Sequence, residues 1–341
     1  MDVDNHDWKV IETALAKWQA EGKLSAAQAE ELKKSINLRK PGQQIARYFF
    51  LIALSCTLMA FSAIFIDDKF LERVRKYFDL GHLTIAFLVG AIALSWFAYI
   101  RKKQTLINSA AFEVYLVLGG LATLTSLVYI CKEIGFGDNY WGFLSIAVIL
   151  LFSLSIIFRS TVLWIGGIAA TLLWFGSVTY NLGNGHAFLG MNYPVRFVLL
   201  GAAVLGLSHL QKNYPRLAYS QRISFIAGLL ILFTSLWGVS VFGNYTSLDL
   251  WFTIRQTHVL GYAFLFGAAA LAALYMGIQI KDDMLRDLGI LFLLLNFYSR
   301  YFEYFWNAMH KGLFFAVLAV SFFFVGRWIE RRRKKACGDG A

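Results

Sequence analysis

WGFLSIAVILLFSLSIIFRSTVLWIGGIAATLLWFGSVTY, residues 141–180, decides the fold. This stretch contains two apolar runs, 141–158 and 161–180, and only Arg159 and Ser160 separate them. A helix needs roughly 20 apolar residues to cross the hydrocarbon core of a bilayer, and each run approaches that length. We therefore predict two membrane-spanning helices that are joined by a tight turn.

Apolar runs of similar length lie on both sides of this stretch, separated by short polar breaks. Since the backbone must satisfy its own hydrogen bonds in lipid, we expect each run to be a helix. The fold class predicted is all-α, a polytopic helical membrane protein with about ten transmembrane helices within residues 43–330. The spans are expected near 48–66, 82–100, 110–131, 141–158, 161–180, 195–210, 223–242, 257–280, 285–303 and 312–329.

The composition excludes a water-soluble globular domain. Hydrophobic residues make up 58% of the chain and charged residues only 16%, whereas a soluble domain carries about 25% charged residues. The three cysteines form no C-x-x-C pair and no Cys/His cluster, and the P-loop, H-E-x-x-H, G-x-S-x-G and Rossmann glycine motifs are absent. We expect no cofactor and no metal, and the sequence leans away from an enzyme.

The net charge of +11 follows membrane topology rather than nucleic-acid binding. With the N-terminus inside, most basic residues fall on the cytoplasmic side of successive spans, as the positive-inside rule requires. Clusters lie at Arg101–Lys103 and in the tail 331–341, which follows the last predicted span. We therefore expect a multi-pass protein of the bacterial cytoplasmic membrane with both termini in the cytoplasm and no nucleic-acid partner.

Residues 1–42 predict a small cytoplasmic helical hairpin. Trp8, Ile11, Leu15 and Trp18 recur at helical spacing, so one face of the first helix is apolar. Gly22 is a C-cap candidate, and Ser25 with Gln28 forms a capping box that opens a second helix. So small a hairpin is expected to dock on the membrane domain, on a cytoplasmic partner or on another copy of the chain.

Charged residues within or beside the spans are the candidate binding residues, because a charge in hydrocarbon costs a few kcal/mol or more. Arg300 and Glu303 lie on one helical face and could pair, either as a structural ion pair or as a site for an anionic headgroup or solute. For Glu113 the alternative is an interfacial carboxylate paired with Arg101–Lys103, and for Arg196 and Arg255 it is snorkelling to the headgroups. The candidate substrate-binding set is Arg300, Glu303, Lys311, Arg196, Arg255 and Glu113.

Small residues inside the spans favour close helix packing. Gly119–Gly120 and Gly166–Gly167 are adjacent pairs, and Ala269 with Ala273 gives a small-xxx-small step. A broken helix at a transport site is the alternative, and neither pair has a neighbouring proline to favour it.

Two segments resemble a family of predicted bacterial inner-membrane proteins of unknown function. They are WQAEGKLSAAQAEELKK, residues 18–34, and RYFEYFWNAMHKGLFFAVLAVSFFFVGRWIERRRKK, residues 300–335. The resemblance implies an N-terminal amphipathic hairpin, several spans and a basic tail. It implies an uncharacterised role and supplies no catalytic residues.

Three functions remain open on the sequence. The first is transport or binding of a small or lipid-like solute, with an anionic solute among the options and membrane lipids as partners. The second is a scaffold or sensor that docks a cytoplasmic protein through the hairpin, with a homo-oligomer as a further option. The third is a membrane enzyme acting on lipid-linked substrates, with Glu113 or Glu303 as acid or base.

Overall fold

The computed structural model describes residues 2–3, 5–22, 24–25, 28–30, 32, 37–38, positions 52, 53, 56 and 59, and then 81–103, 109–135, 140–183, 187–245, 248–253 and 256–338. The chain divides into two compact units, Met1–Thr171 and Leu172–Ala341. The boundary falls within one continuous helix.

The first unit begins with two-residue strands β1 (Asp2–Val3) and β2 (Asn37–Leu38), which pair in parallel. Between them lies α1 (Asn5–Ala20). The apolar helices of this unit are α2 (His82–Lys103), α3 (Ser109–Glu133), α4 (Tyr140–Phe158) and the start of α5 (Thr161–Leu182). The main packing is of α2 against α3, around a core that includes Phe97, Ile100 and Leu116.

The second unit contains the end of α5 and two helical hairpins. The first hairpin is α6 (Tyr193–Gln211) with α7 (Ala218–Phe242). A short helix α8 (Leu248–Thr253) and a 3₁₀ turn (Gln256–Val259) lead to the second hairpin, which is α9 (Leu260–Gln279) with α10 (Asp283–Phe305). The last helix is α11 (Lys311–Gly338).

Seven of the described helices have the length and composition to cross a membrane. They are His82–Lys103, Ala111–Glu133, Tyr140–Phe158, Thr161–Leu182, Tyr193–Gln211, Ala218–Phe242 and Thr257–Gln279. Each coincides with a predicted span, so a multi-pass helical membrane protein is confirmed.

The count of ten spans remains a prediction. The predicted spans at 285–303 and 312–329 are helical, as α10 and α11, but neither is among the seven. Five charged residues lie in α10, and the apolar part of α11 is the shorter stretch Lys311–Phe324. The predicted span at 48–66 lies outside the described residues, apart from single positions.

The caps predicted for the N-terminal hairpin are present. Gly22 has φ +70°, and its amide donates to the Gln19 carbonyl at 3.2 Å after the end of α1. The Ser25 amide donates to the Gln28 side-chain oxygen at 3.0 Å, and the Gln28 amide donates to the Ser25 hydroxyl at 3.3 Å. Most of the second helix lies outside the described part of the chain, so the hairpin itself stays a prediction.

The glycine pairs allow neighbouring helices to pack closely, as the sequence analysis predicted. A Cβ atom on Gly119 would lie 2.7 Å from the ring of Phe97, and one on Gly167 would lie 2.9 Å from the ring of Phe152. Both helices run unbroken through these positions. The glycines therefore make room for large side chains of the neighbouring helices.

Glycines also bring backbones into contact within each hairpin of the second unit. In the first hairpin, a Cβ on Gly201 would lie 2.6 Å from the Leu232 amide nitrogen, and one on Gly228 would lie 2.9 Å from the Leu205 amide nitrogen. The second hairpin repeats the arrangement: a Cβ on Gly277 would overlap the Arg286 amide nitrogen, and one on Gly289 would lie 2.7 Å from the Leu274 amide nitrogen. Both hairpins are thus closed by a reciprocal pair of glycines.

We expect Gly201→Ala to destabilise the protein by about 1–3 kcal/mol, because its methyl group would overlap the α7 backbone and force the helices apart. The matched control is Gly206→Ala on the same helix, where a Cβ meets nothing within 4 Å. Thermal unfolding in detergent should show a lower midpoint for the first variant and an unchanged or raised midpoint for the second. Equal midpoints would contradict the close contact.

Candidate functional site

Glu113 on α3 binds the start of α5. Its carboxylate accepts hydrogen bonds from the Ser160 hydroxyl and from the Thr161 amide at 3.2 Å. The Ser160 hydroxyl in turn accepts from the Leu163 amide at 3.2 Å, so Ser160 is the N-cap of α5. The negative charge of Glu113 lies at the positive end of the α5 dipole.

The α4–α5 turn is as short as predicted. Arg159 takes a left-handed conformation, with φ +52°, and the Ser155 hydroxyl donates to the Ser160 carbonyl at 2.7 Å. Ser155 and Ser160 are both fully buried. Side chains from α3 and α4 therefore satisfy the backbone of the turn where water is scarce.

Arg196 is a buried cation near the start of α6, with 1% of its surface exposed. Its Nε atom donates to the Met191 carbonyl at 2.9 Å, and its Nη1 atom donates to the Thr179 carbonyl at 3.1 Å. The guanidinium also lies 4.8 Å from the ring centre of Tyr193. Because Thr179 is in the last turn of α5, Arg196 places positive charge at the C-terminal end of that helix.

Arg300 and Glu303 form the predicted ion pair on α10, and both side chains are about 15% exposed. The Nη2 atom of Arg300 donates to the Ser240 carbonyl at 2.9 Å, in the last turn of α7. The Nε atom of Arg300 is buried and has no hydrogen-bond partner among the described residues. The pair therefore supplies a hydrogen bond to a carbonyl at the end of α7, and the Nε atom of Arg300 is left as a buried donor.

Lys311 follows the same pattern at the end of α10. Its ammonium donates to the Trp306 carbonyl and lies 3.8 Å from the centre of the Trp306 ring. Trp306 is the C-cap residue of α10. Lys311 thus places a positive charge where the helix carbonyls lack amide partners.

The contacts bring only some of the candidate residues together. Arg300 binds Glu303, whereas Arg196 and Lys311 each bind carbonyls elsewhere, and Glu113 lies in the first unit. Arg255 lies outside the described residues. Solute binding by this set is therefore untested and stays a prediction. No group of three metal-ligating side chains forms within the described part of the chain.

The sequence analysis missed a further charged contact at the α9–α10 turn. Asp282 accepts two hydrogen bonds from Arg222 of α7, at 2.5 and 2.9 Å, and one from the Leu285 amide at 3.1 Å. The bond from the Arg222 guanidinium is the main reason that the pKa of Asp282 falls to about 2. An aspartate three residues before a helical leucine is an N-cap signal, but nothing local indicates Arg222.

An apolar groove lies on the surface of α2, beside α3. Its volume is about 660 Å³, within the range of small-molecule sites. The Trp96 indole at its floor donates to the Tyr115 carbonyl at 2.8 Å, which fixes that ring. The groove is lined by Leu88, Ala91, Ile92, Ser95, Trp96, Tyr99 and Tyr115.

The helices and their apolar outer faces define the class: a multi-pass α-helical membrane protein. Residues 16–164 match the model of a family described as Predicted membrane protein (DUF2157), so the predicted resemblance is confirmed for that part of the chain. The match includes the segment around Gly22 and runs into α5, whereas the aromatic and basic C-terminal segment lies beyond it. No curated protein and no solved structure matches the chain.

Arg300→Ala should lower the yield and thermal midpoint of the folded protein, because it leaves the Glu303 charge and the Ser240 carbonyl unpaired. We expect the double variant Arg300→Ala with Glu303→Ala to recover part of that loss, since it removes the stranded charge as well. Thermal unfolding of the wild type, the two single variants Arg300→Ala and Glu303→Ala, and the double variant in one detergent gives the coupling energy between the two residues. A stable single variant that has lost a bound solute would instead favour a binding role for Arg300.

Proposed function

We propose that this membrane protein binds an anionic lipid-like molecule, with the acyl chain in the groove on α2 and the acidic headgroup at Arg101–Lys103. The observation that carries the proposal is the continuity of the two features on one helix face. Groove residues Leu88, Ile92, Ser95 and Tyr99 follow helical spacing, and Lys102 and Lys103 continue it by three and four residues.

The length of the groove suits one leaflet of a bilayer. From Leu88 to Tyr99 the helix rises about 16 Å, at about 1.5 Å per residue. Half of a hydrocarbon core about 30 Å thick is nearly the same distance. An acyl chain lying along this face would therefore bring its headgroup to the level of residues 101–103.

The basic end of α2 complements an acidic headgroup. Arg101, Lys102 and Lys103 are all exposed in the last turn of the helix. The Lys103 ammonium lies 5.0 Å from the centre of the Tyr99 ring, so it is held at the mouth of the groove. With the proposed orientation, in which both termini are in the cytoplasm of a bacterium, this end faces the inner leaflet, where anionic lipids attract basic side chains.

A scaffold role is the second candidate, and one feature of α1 supports it. Leu15 is 3% exposed whereas Trp18, on the same predicted apolar face, is 45% exposed. An exposed indole beside a buried leucine leaves part of that face available for a cytoplasmic partner. In this proposal the membrane helices serve as the anchor.

The groove variant Ile92→Trp should reduce bound phosphatidylglycerol, because its indole would occupy the acyl position. Leu94→Trp is the matched control: Leu94 is on the same helix, is similarly exposed and does not line the groove. Native mass spectrometry of each protein, loaded with equal phosphatidylglycerol and phosphatidylcholine, measures the bound lipid. Equal loss in both variants would count against the groove.

Lys102→Gln with Lys103→Gln should weaken phosphatidylglycerol binding about thirtyfold, since each basic residue near an anionic surface contributes about 1 kcal/mol. Binding of phosphatidylcholine should change little. A variant of equal charge, Lys132→Gln with Arg216→Gln, removes two exposed cations that do not line the groove and is the control. If the wild-type protein shows no preference for phosphatidylglycerol, the headgroup assignment is wrong.

A further inference from the structure

The two hairpins of the second unit differ in how they are held internally and to each other. Within each hairpin, reciprocal glycines place backbone against backbone, at the contacts given above for Gly201, Gly228, Gly277 and Gly289. Such contacts leave no side chain to rearrange, so each hairpin resists internal movement. The contacts between the hairpins that the structure describes are made by side chains.

These contacts lie at three levels. At one end, Arg222 of α7 holds Asp282 in the α9–α10 turn through two hydrogen bonds. In the middle, the Phe233 and Phe292 rings stack with centroids 5.0 Å apart. At the other end, the Trp237 indole donates to the Ser299 hydroxyl at 2.8 Å, and Arg300 donates to the Ser240 carbonyl.

The three levels have different resistance to separation. The aromatic layer is buried, with Phe233 at 2% and Phe292 at 6% exposed. At the other end, the Arg300 side chain is 15% exposed. The Arg222–Asp282 pair is more open, because the Arg222 side chain is 51% exposed and the Asp282 side chain 16%. Exposed ion pairs are weak individually, so this end is the one that separates most readily.

We propose that the Arg222–Asp282 ion pair is a latch, whose release lets the α9–α10 hairpin swing against the α6–α7 hairpin about the Phe233–Phe292 layer. The movement opens the end of the second unit that carries the α9–α10 turn. It alters side-chain contacts alone and leaves both glycine-closed hairpins intact.

Asp282 connects the latch to the start of α10. Its carboxylate caps that helix through the Leu285 amide, and the preceding Lys281 has φ +55°. Lys281, Asp283 and Asp287 line the adjacent pocket of about 570 Å³ with Arg222, and Arg286 forms ion pairs with Asp283 and Asp287. Release of Arg222 therefore removes a positive charge from both the α9–α10 turn and the start of α10.

The latch should stay closed through the physiological pH range. The pKa of Asp282 is lowered to about 2 by Arg222, so the carboxylate is ionised at any higher pH. A depressed carboxyl pKa stabilises the folded form above the unfolded value of 3.8 and loses that effect as the pH falls toward 2. Amide exchange in the turn, corrected for intrinsic rates, should therefore be constant from about pH 5 to 8.

Two variants test the latch while sparing the helix cap. Asp282→Asn keeps a side-chain oxygen for the Leu285 amide and loses the charge, and Arg222→Gln leaves Asp282 in place. Each should speed hydrogen exchange several-fold at residues 279–286, and the double variant should add little to either single change. The control Asp287→Asn removes a carboxylate from the same pocket and its hydrogen bonds from Arg286, but leaves the Arg222–Asp282 pair intact, so its exchange should match that of the wild type.

Distance measurements give the direction of movement. Spin labels at Tyr214→Cys and Ile280→Cys, both exposed positions, report the separation of the two hairpins when the native cysteines are replaced by serine. We expect a longer and broader distance distribution in Asp282→Asn than in Asp287→Asn. Unchanged exchange and distances, or faster exchange spread evenly over the whole second unit, would overturn the latch.

Discussion

The backbone groups left without internal partners at helix ends are the constraint on which this structure depends. Each helix leaves amides at its start and carbonyls at its end without internal partners, and lipid supplies none. The chain meets this need with its few charged side chains. Glu113 lies at the start of α5 and Arg196 at its end, while Arg300 lies at the end of α7 and Lys311 at the end of α10. In every case the sign of the charge opposes that of the helix dipole.

These contacts change how a charged side chain within a span should be interpreted in this protein. A charged residue within a span is a reasonable candidate for a site, because its burial is costly. In this protein the cost is offset by backbone groups that would otherwise be unpaired. Features that no helix end requires are then the better guide to ligands, and the apolar groove beside Trp96 is such a feature.

Local sequence patterns predicted much of the fold, but they did not predict contacts between residues that are far apart in the chain. Hydropathy located the seven helices that are long and apolar enough to cross a membrane, and capping rules located Gly22, Ser25 and Gln28, because those signals lie within a few residues of what they determine. The partners of Glu113 and Arg222 are 47 and 60 residues away. A single sequence does not indicate which residues so far apart in the chain are in contact. The pairing of Arg300 with Glu303 could be predicted because it is made within one helix.

The two-residue turn between α4 and α5 has a consequence for biosynthesis. A connection of two residues is far too short to cross the bilayer, so the end of α4 and the start of α5 lie on the same side. The hydrogen bonds that satisfy this turn come from Ser155 of α4, from Ser160 itself and from Glu113 of α3. They can form only after the first turn of α5 has been synthesised and lies beside α3, so the turn is completed later than α3 and α4.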